Sequence, residues 1–407
     1  MSGEMSMIKG NRAKNLMIWL LLVAVCLPLA GCWDRRELQE RNMVLAAAID
    51  VVKDNEQAYE QFVQPHGGRD FRLSVQLLEI EPRQQGEQRG AAKVGTYVIS
   101  GTGRLLFEII RDLFGQVGKP ITWEHVQAIV ISQEAVEAGG MDQLIDWFVR
   151  DAEMRWRIRV YITPGEAKPI IEYQPPSGEP NGLLLAGIGR NYVKDPHIAS
   201  AQTELGFTSI LLDNKTSTVL PTIELTGDVL KVGGMAVIKK GELAGFLDEY
   251  DTFGAKLIMG IEKSAIITTA CKDHPNRIFA FELFQHDTRL EPHVAGDTIY
   301  YTLDIAMYGN IGEMEGCPEP NDHNLNDTQY IRKLELQFAE EVKRAAVHAY
   351  RAQQALGADT LRMGKKMQIR YPKKWAEIKD HWDEEVFPTI PLIISVNVTI
   401  RQLGEHK

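Results

Sequence analysis

The run VGTYVISGTGRLLFEIIRDLF at residues 94–114 decides the fold class, because its hydrophobic period changes partway along. Residues 94–100 suit an extended strand, whereas Leu105, Leu106, Ile109, Ile110, Leu113 and Phe114 recur on one helical face. Gly115, Gly118 and Pro120 then end the helix. A strand that feeds a helix directly is half of an α/β unit. The other half follows: a strand at 126–131, a helix at 141–149 with Leu144, Ile145 and Phe148 inward, and a strand at 157–162. Upstream, MVLAAAIDVV at 43–52 is a continuous apolar run that fits a buried strand, and Phe71, Leu73, Val75 and Leu77 alternate with polar neighbours as a half-buried strand does. The expected first domain is a mixed sheet packed with helices.

Downstream, YQPPSGEPNG at 173–182 is a Pro/Gly breaker, but helical patterns at 183–193 and 202–213 follow it, which moves the expected domain boundary to 215–225. From 229 the chain reads strand, hairpin, helix, with Lys240-Gly241 as the tight turn and Asp248 as the helix N-cap. Strands are expected at 264–271, 277–285 and 297–308, then an irregular polar segment at 309–326. Within 327–356, Ile331, Leu334, Phe338, Val342, Ala345, Ala346 and Ala349 mark the longest amphipathic helix. A second helix at 372–385 and a strand at 390–400 close the chain, and no repeat or low-complexity tract occurs.

The 407 residues suit two or three folded units. A 44% hydrophobic content supplies a core and excludes a disordered chain, four cysteines exclude a disulfide-dense scaffold, and a net charge of −10 disfavours nucleic acid as a partner. The N-terminus sets the compartment. Lys9, Arg12 and Lys14 precede an uncharged run at 16–30, LMIWLLLVAVCLPLA, in the manner of a secretory leader. As a helix that run spans about 22 Å, short of the roughly 30 Å hydrocarbon core, and Pro28 interrupts its end.

Leu29-Ala30-Gly31-Cys32 then resembles a bacterial lipobox, with cleavage between Gly31 and Cys32 and lipid on the Cys32 sulfur. The expected modification is covalent diacylglycerol with an N-acyl chain such as palmitate; no other cofactor and no metal is expected. Two or more acyl chains anchor stably where one is marginal. Removing the leader, which carries Lys9, Arg12 and Lys14 against Glu4, takes the net charge from −10 to −12, so charge alone would not hold the body on anionic lipid. Directly after the lipid, Trp33 would lie at headgroup depth, with Asp34, Arg35 and Arg36 beside phosphates or a partner loop; the alternative is a tether with no preferred contact.

The expected architecture is a signal peptide at 1–31, a lipidated tether at 32–42 and three α/β (α+β mixed) domains. These are an N-terminal domain at 43–220, a β-rich middle domain at 221–312 and a C-terminal domain at 313–407, each a mixed sheet with helices. Several motifs carry less than they suggest. Gly101-Thr102-Gly103 holds two glycines of a dinucleotide-binding fingerprint and reads as a strand-to-helix turn. Asp322, His323 and Asp327 lack the alternation of a calcium loop, and Glu340-Glu341 and Asp383-Glu384-Glu385 read as exposed helix faces. Cys271 and Cys317 either pair or stay as buried free thiols; zinc is disfavoured. No G-x-S-x-G, H-E-x-x-H, S-x-x-K or C-x-x-C occurs, so no catalytic residue is assigned and the chain is not expected to be an enzyme.

CWDRREL at 32–38, directly after the lipobox, resembles the start of the Ger(x)C family, the lipoprotein subunits of bacterial spore germinant receptors. Similar blocks follow in order: residues 101–162, GGMAVIKKGELAGFLDEYDTFGAKLIMG at 233–260, and the C-terminal PLIISVNVTIRQLG. The resemblance covers nearly the whole chain after the leader. It departs at the IRQLG ending and at 309–326. It implies three α/β domains and a non-enzymatic subunit on the outer face of the spore inner membrane. The implied partners are a large membrane subunit and a transporter-like integral subunit, in a complex that responds to nutrients. Two other classes remain in view: a solute-binding lipoprotein that captures a small nutrient for a transporter, and an extracytoplasmic enzyme.

Overall fold

In the computed structural model the described residues are 41–53, 69–80, 94–199, 203–261, 264–271, 275–315 and 328–402. Strand β1 (Asn42–Val51) is buried along its length, as the apolar run at 43–52 requires. It pairs antiparallel with β2 (Phe71–Ile80), which pairs antiparallel with β3 (Val94–Gly103) at the sheet edge. The period change seen in the sequence is the join between β3 and helix α1 (Leu106–Leu113). Leu106, Ile109, Ile110 and Leu113 are buried, each stabilising by about 1.5–3 kcal/mol, but Leu105 and Phe114, assigned to the same face, are exposed because they lie beyond the helix ends.

The short β4 (Ile121–Thr122) pairs with β1, and β5 (Ala128–Ser132) runs parallel to β1. Helix α2 (Gln133–Arg150) starts earlier than its apolar pattern at 141–149. Ser132 caps it, its hydroxyl accepting from the Ala135 N–H at 3.2 Å, and Gly140 breaks it midway with a φ of 73°. The break frees the Met141 N–H to bond the Gly241 carbonyl at 2.7 Å. Next come β6 (Arg159–Thr163), α3 (Lys168–Glu172), α4 (Asn181–Arg190) and α5 (Leu205–Asp213). Helices α1 and α2 cover one face of the sheet, and α3 and α4 the other, so the parallel strands β1, β5 and β6 are buried on both sides.

Strands β7 (Thr218–Thr226), β8 (Val229–Lys239) and β9 (Glu242–Leu247) extend this sheet to nine strands. The expected boundary at 220/221 falls inside β7, whose one parallel pair with β6, Ile162↔Thr222, carries the sheet across it. Pro221 sits at a register irregularity of β7, where a missing N–H is tolerated. The Lys240-Gly241 turn and the Asp248 cap of helix α6 (Glu249–Met259) form as read, the Asp248 carboxylate accepting from the Asp251 N–H at 2.8 Å.

The second sheet has the order β10 (Ile266–Ala270), β11 (Ile278–Ala295), β12 (Thr298–Met314) and β13 (Leu392–Gln402), so the strands of 221–312 divide between two sheets. Residues 309–314, expected to be irregular, continue β12, because pairing with β11 from Leu283 to Phe279 outweighs their turn-prone composition. Helix α7 (Thr328–Leu356) lays Leu334, Phe338, Val342, Ala345 and Ala349 on this sheet, with the Phe338 and Phe281 rings 5.4 Å apart. Helix α8 (Met363–Arg370) follows, and the single helix expected at 372–385 is instead α9 (Pro372–Ile378) and tighter and wider turns from 379 to 389, including one π turn at Trp382–Val386. The described residues from Met43 onward cluster as one compact unit.

Candidate functional site

A polar cleft of about 700 Å³ opens where the end of α5, the β8–β9 turn and the segment from Asp359 to Glu384 meet. Buried hydroxyls and amides hold its C-terminal wall. Tyr301 donates to the Met363 carbonyl at 2.7 Å, Tyr350 to the Ile390 carbonyl at 2.8 Å, and the Gln354 amide to the Phe387 carbonyl at 2.9 Å. These bonds satisfy backbone carbonyls at Met363, Phe387 and Ile390 and tie the short helices and turns of the wall to the core.

Asp359 organises the wall. Its Oδ1 accepts from the Met363 N–H at 2.9 Å, and its Oδ2 from the Gly364 N–H at 2.7 Å and the Trp382 indole N–H at 3.0 Å. It thereby satisfies the first donors of α8 and fixes the Trp382 ring, which meets Trp375 edge-on at 5.2 Å. Burial holds the Asp359 carboxyl above the ordinary carboxylate range, against the pull of these three donors. Asp383 is also raised, chiefly by burial, with Lys239 and Lys240 opposing. Glu384 is lowered by its hydrogen bond from Lys240, 2.9 Å long.

Of Asp383-Glu384-Glu385, read as an exposed helix face, Glu384 and Glu385 are exposed on a π turn, whereas Asp383 is half-buried; Asp383 and Glu384 line the cleft. Sequence reading missed Asp359, Trp375 and Trp382 as a group. Two indoles seven residues apart in a polar stretch were the signal available. Chemically the cleft offers charged side chains and indole surface to a small polar solute. Among the described residues no three His, Cys, Asp or Glu side chains converge as metal ligands do.

The other residues singled out separate widely. Gly31, Cys32, Trp33, Asp34, Arg35 and Arg36 lie outside the described residues, as do Cys317, Asp322, His323 and Asp327. Gly101 and Gly103 belong to β3 itself rather than to the turn, and a Cβ on Gly101 would stand 2.8 Å from the Ile109 side chain. That glycine lets α1 pack closely on the strand. Glu340 is exposed as expected, whereas Glu341 is half-buried, accepting from the Tyr250 hydroxyl at 3.2 Å and pairing with Arg344 at 2.8 Å. Cys271 is buried and disulfide-bonded, which removes the free-thiol alternative for it.

Comparison with known proteins aligns nearly the whole described chain. A family described as "Spore germination protein N-terminal domain" matches residues 34–225, and one described as "Spore germination B3/ GerAC like, C-terminal" matches residues 233–404. Spore germination protein YndF of Bacillus subtilis (strain 168) is 27% identical over 98% of this chain and 99% of its own length. Spore germination protein B3 of the same organism is 22% identical over 91% and 93%. The crystal structure of the GerBC protein superposes with a TM-score of 0.57 at 18% identity, covering 90% of this chain and 100% of that one, a likeness of fold. The cleft lies where the two matched segments meet, with Lys215 in the first and Arg362 in the second.

Proposed function

The chain belongs to the spore germination B3/GerAC-like family, and from that premise we propose that it is a lipid-anchored subunit of a nutrient germinant receptor. The observation that carries the reading is positional: the family match begins at Asp34, two residues after the lipobox cysteine Cys32, and then runs almost unbroken to residue 404. In this reading a signal peptidase cuts before Cys32, acyl chains on that cysteine hold the body on the outer face of the spore inner membrane, and Trp33, Asp34, Arg35 and Arg36 enter the headgroup layer or meet an integral subunit. Among the described residues no helix is long and apolar enough to cross a membrane.

The mechanism is coupling between proteins rather than bond chemistry. Fixing the body beside integral subunits raises its effective concentration there and restricts its orientation, so individually weak interfaces suffice for assembly with a large membrane subunit and a transporter-like subunit. The test is Cys32→Ala. The variant is expected to fold and leave the cell membrane while the parent sediments with it, and germinant-triggered germination should fall with it. Full membrane retention of the variant would refute an anchor-dependent role.

A further inference from the structure

Lys215 (φ 55°), Lys240 (φ 53°) and Arg362 (φ 60°) are the non-glycine residues, among those described, with left-handed backbone. L side chains enter that region seldom because Cβ crowds the backbone, and glycine escapes the penalty. Lys215 follows the C-cap of α5, where its N–H and that of Thr216 bond the Leu212 and Leu211 carbonyls at 2.8 and 2.9 Å, a position where glycine is the usual choice. Lys240 opens the two-residue hairpin turn, and Arg362 is the N-cap of α8. At all three places the chain instead carries a basic side chain, and all three line the one cleft. Strain at unrelated turns that converges on a single cavity points to work done by those side chains.

Lys365 and Lys379 add two more cations to the lining of a protein whose net charge is −10. Four acids share the lining with these cations: both Asp359 oxygens accept internal N–H groups, Glu384 is held by Lys240, Asp383 faces Lys239 and Lys240, and Asp380 is exposed. The volume falls within the roughly 300–1,000 Å³ typical of small-molecule sites. We propose that this cleft binds a small multivalent oxyanion, a phosphate- or carboxylate-bearing solute, through Lys215, Arg362, Lys365 and Lys379. The assignment does not depend on how the chain is anchored or what it assembles with. A free solute and an anionic lipid headgroup present the same phosphate chemistry.

The test uses the full chain in neutral detergent at about 150 mM salt, where a Debye length of about 8 Å suppresses diffuse attraction. Inorganic pyrophosphate and citrate are titrated while tryptophan fluorescence reports Trp375 and Trp382, and sedimentation with phosphatidylglycerol vesicles runs in parallel. Two variants are compared with the parent: Lys215→Gly with Arg362→Gly, which relieves backbone strain, and Lys365→Ala with Lys379→Ala at exposed positions. The expected result is a saturable response weakened at least tenfold in both, with the thermal midpoint of the glycine variant unchanged or raised. A response to vesicles alone, weakened in the same variants, supports the site with the headgroup as its source. No saturable response to any probe, or equal affinity in parent and both variants, would overturn the proposal.

Discussion

Replacing Lys256 with methionine should destabilise the protein by about 3 kcal/mol. Lys256 projects from α6 and is 1% exposed, and its Nζ donates to the carbonyls of Tyr192, Asp195 and Ile198 at 3.1, 3.1 and 3.2 Å. It therefore ties the segment after α4 to a helix 58 or more residues further along the chain. Three hydrogen bonds to a charged donor, at about 1.5–3 kcal/mol each, would sum well above the expected loss. Two effects reduce it. The ammonium no longer has to be dehydrated, and the part-buried Tyr192 and Asp195 carbonyls regain water. The buried Ile198 carbonyl does not.

Methionine keeps most of the packed volume, which isolates the polar term. Urea unfolding of the full chain, followed by tryptophan fluorescence with the slope held constant, measures the loss. Hydrogen exchange at residues 192–198 should show protection disappearing ahead of global unfolding. Lys231→Met is the reference, since the Lys231–Glu249 pair is 64% and 40% exposed and should contribute less than about 1 kcal/mol. Equal stability of the two variants, with exchange at 192–198 unchanged, would refute the carbonyl-clamp argument.

Two further outcomes follow from close contacts and burial. Gly254→Ala should destabilise by at least about 2 kcal/mol in the same urea assay, because its Cβ would stand 2.2 Å from the Ala345 carbonyl oxygen and 2.7 Å from the Ala349 methyl, where α6 crosses α7. Asp359→Asn tests linkage: with the folded pKa raised above the unfolded value, stability from the neutral carboxyl is full below the ordinary carboxylate range and is lost as pH rises through the raised value. Thermal midpoints from pH 4 to 7 should therefore show the parent's advantage over the variant narrowing as pH rises. A constant difference would exclude that titration.

The elements most legible in the sequence are those whose order is local. The period change at 94–114, the Lys240-Gly241 turn, the Asp248 cap and the seven apolar positions of α7 each depend on residues within a turn or two of one another, and each stands in the structure where its pattern places it. The family resemblance was legible for the same reason, since CWDRREL and the ordered blocks after it are linear text. Errors gathered where distant pairing overrides local preference. Turn-prone 309–314 became strand by pairing with β11, and Leu105 and Phe114 fell off the buried face because the helix they flank is only eight residues long.

What the sequence alone determined is most of the order of strands and helices, the charged and apolar pattern of the N-terminal run with its cysteine, and the family, because propensity, period and linear motif need no knowledge of what folds against them. Tertiary structure alone decided that β1 to β9 share one sheet, that Lys256 closes on three carbonyls, and that Lys215, Lys240 and Arg362 face one cleft. Those residues lie up to 147 positions apart, and a side chain's environment is set by whichever segment packs on it, which no local pattern encodes.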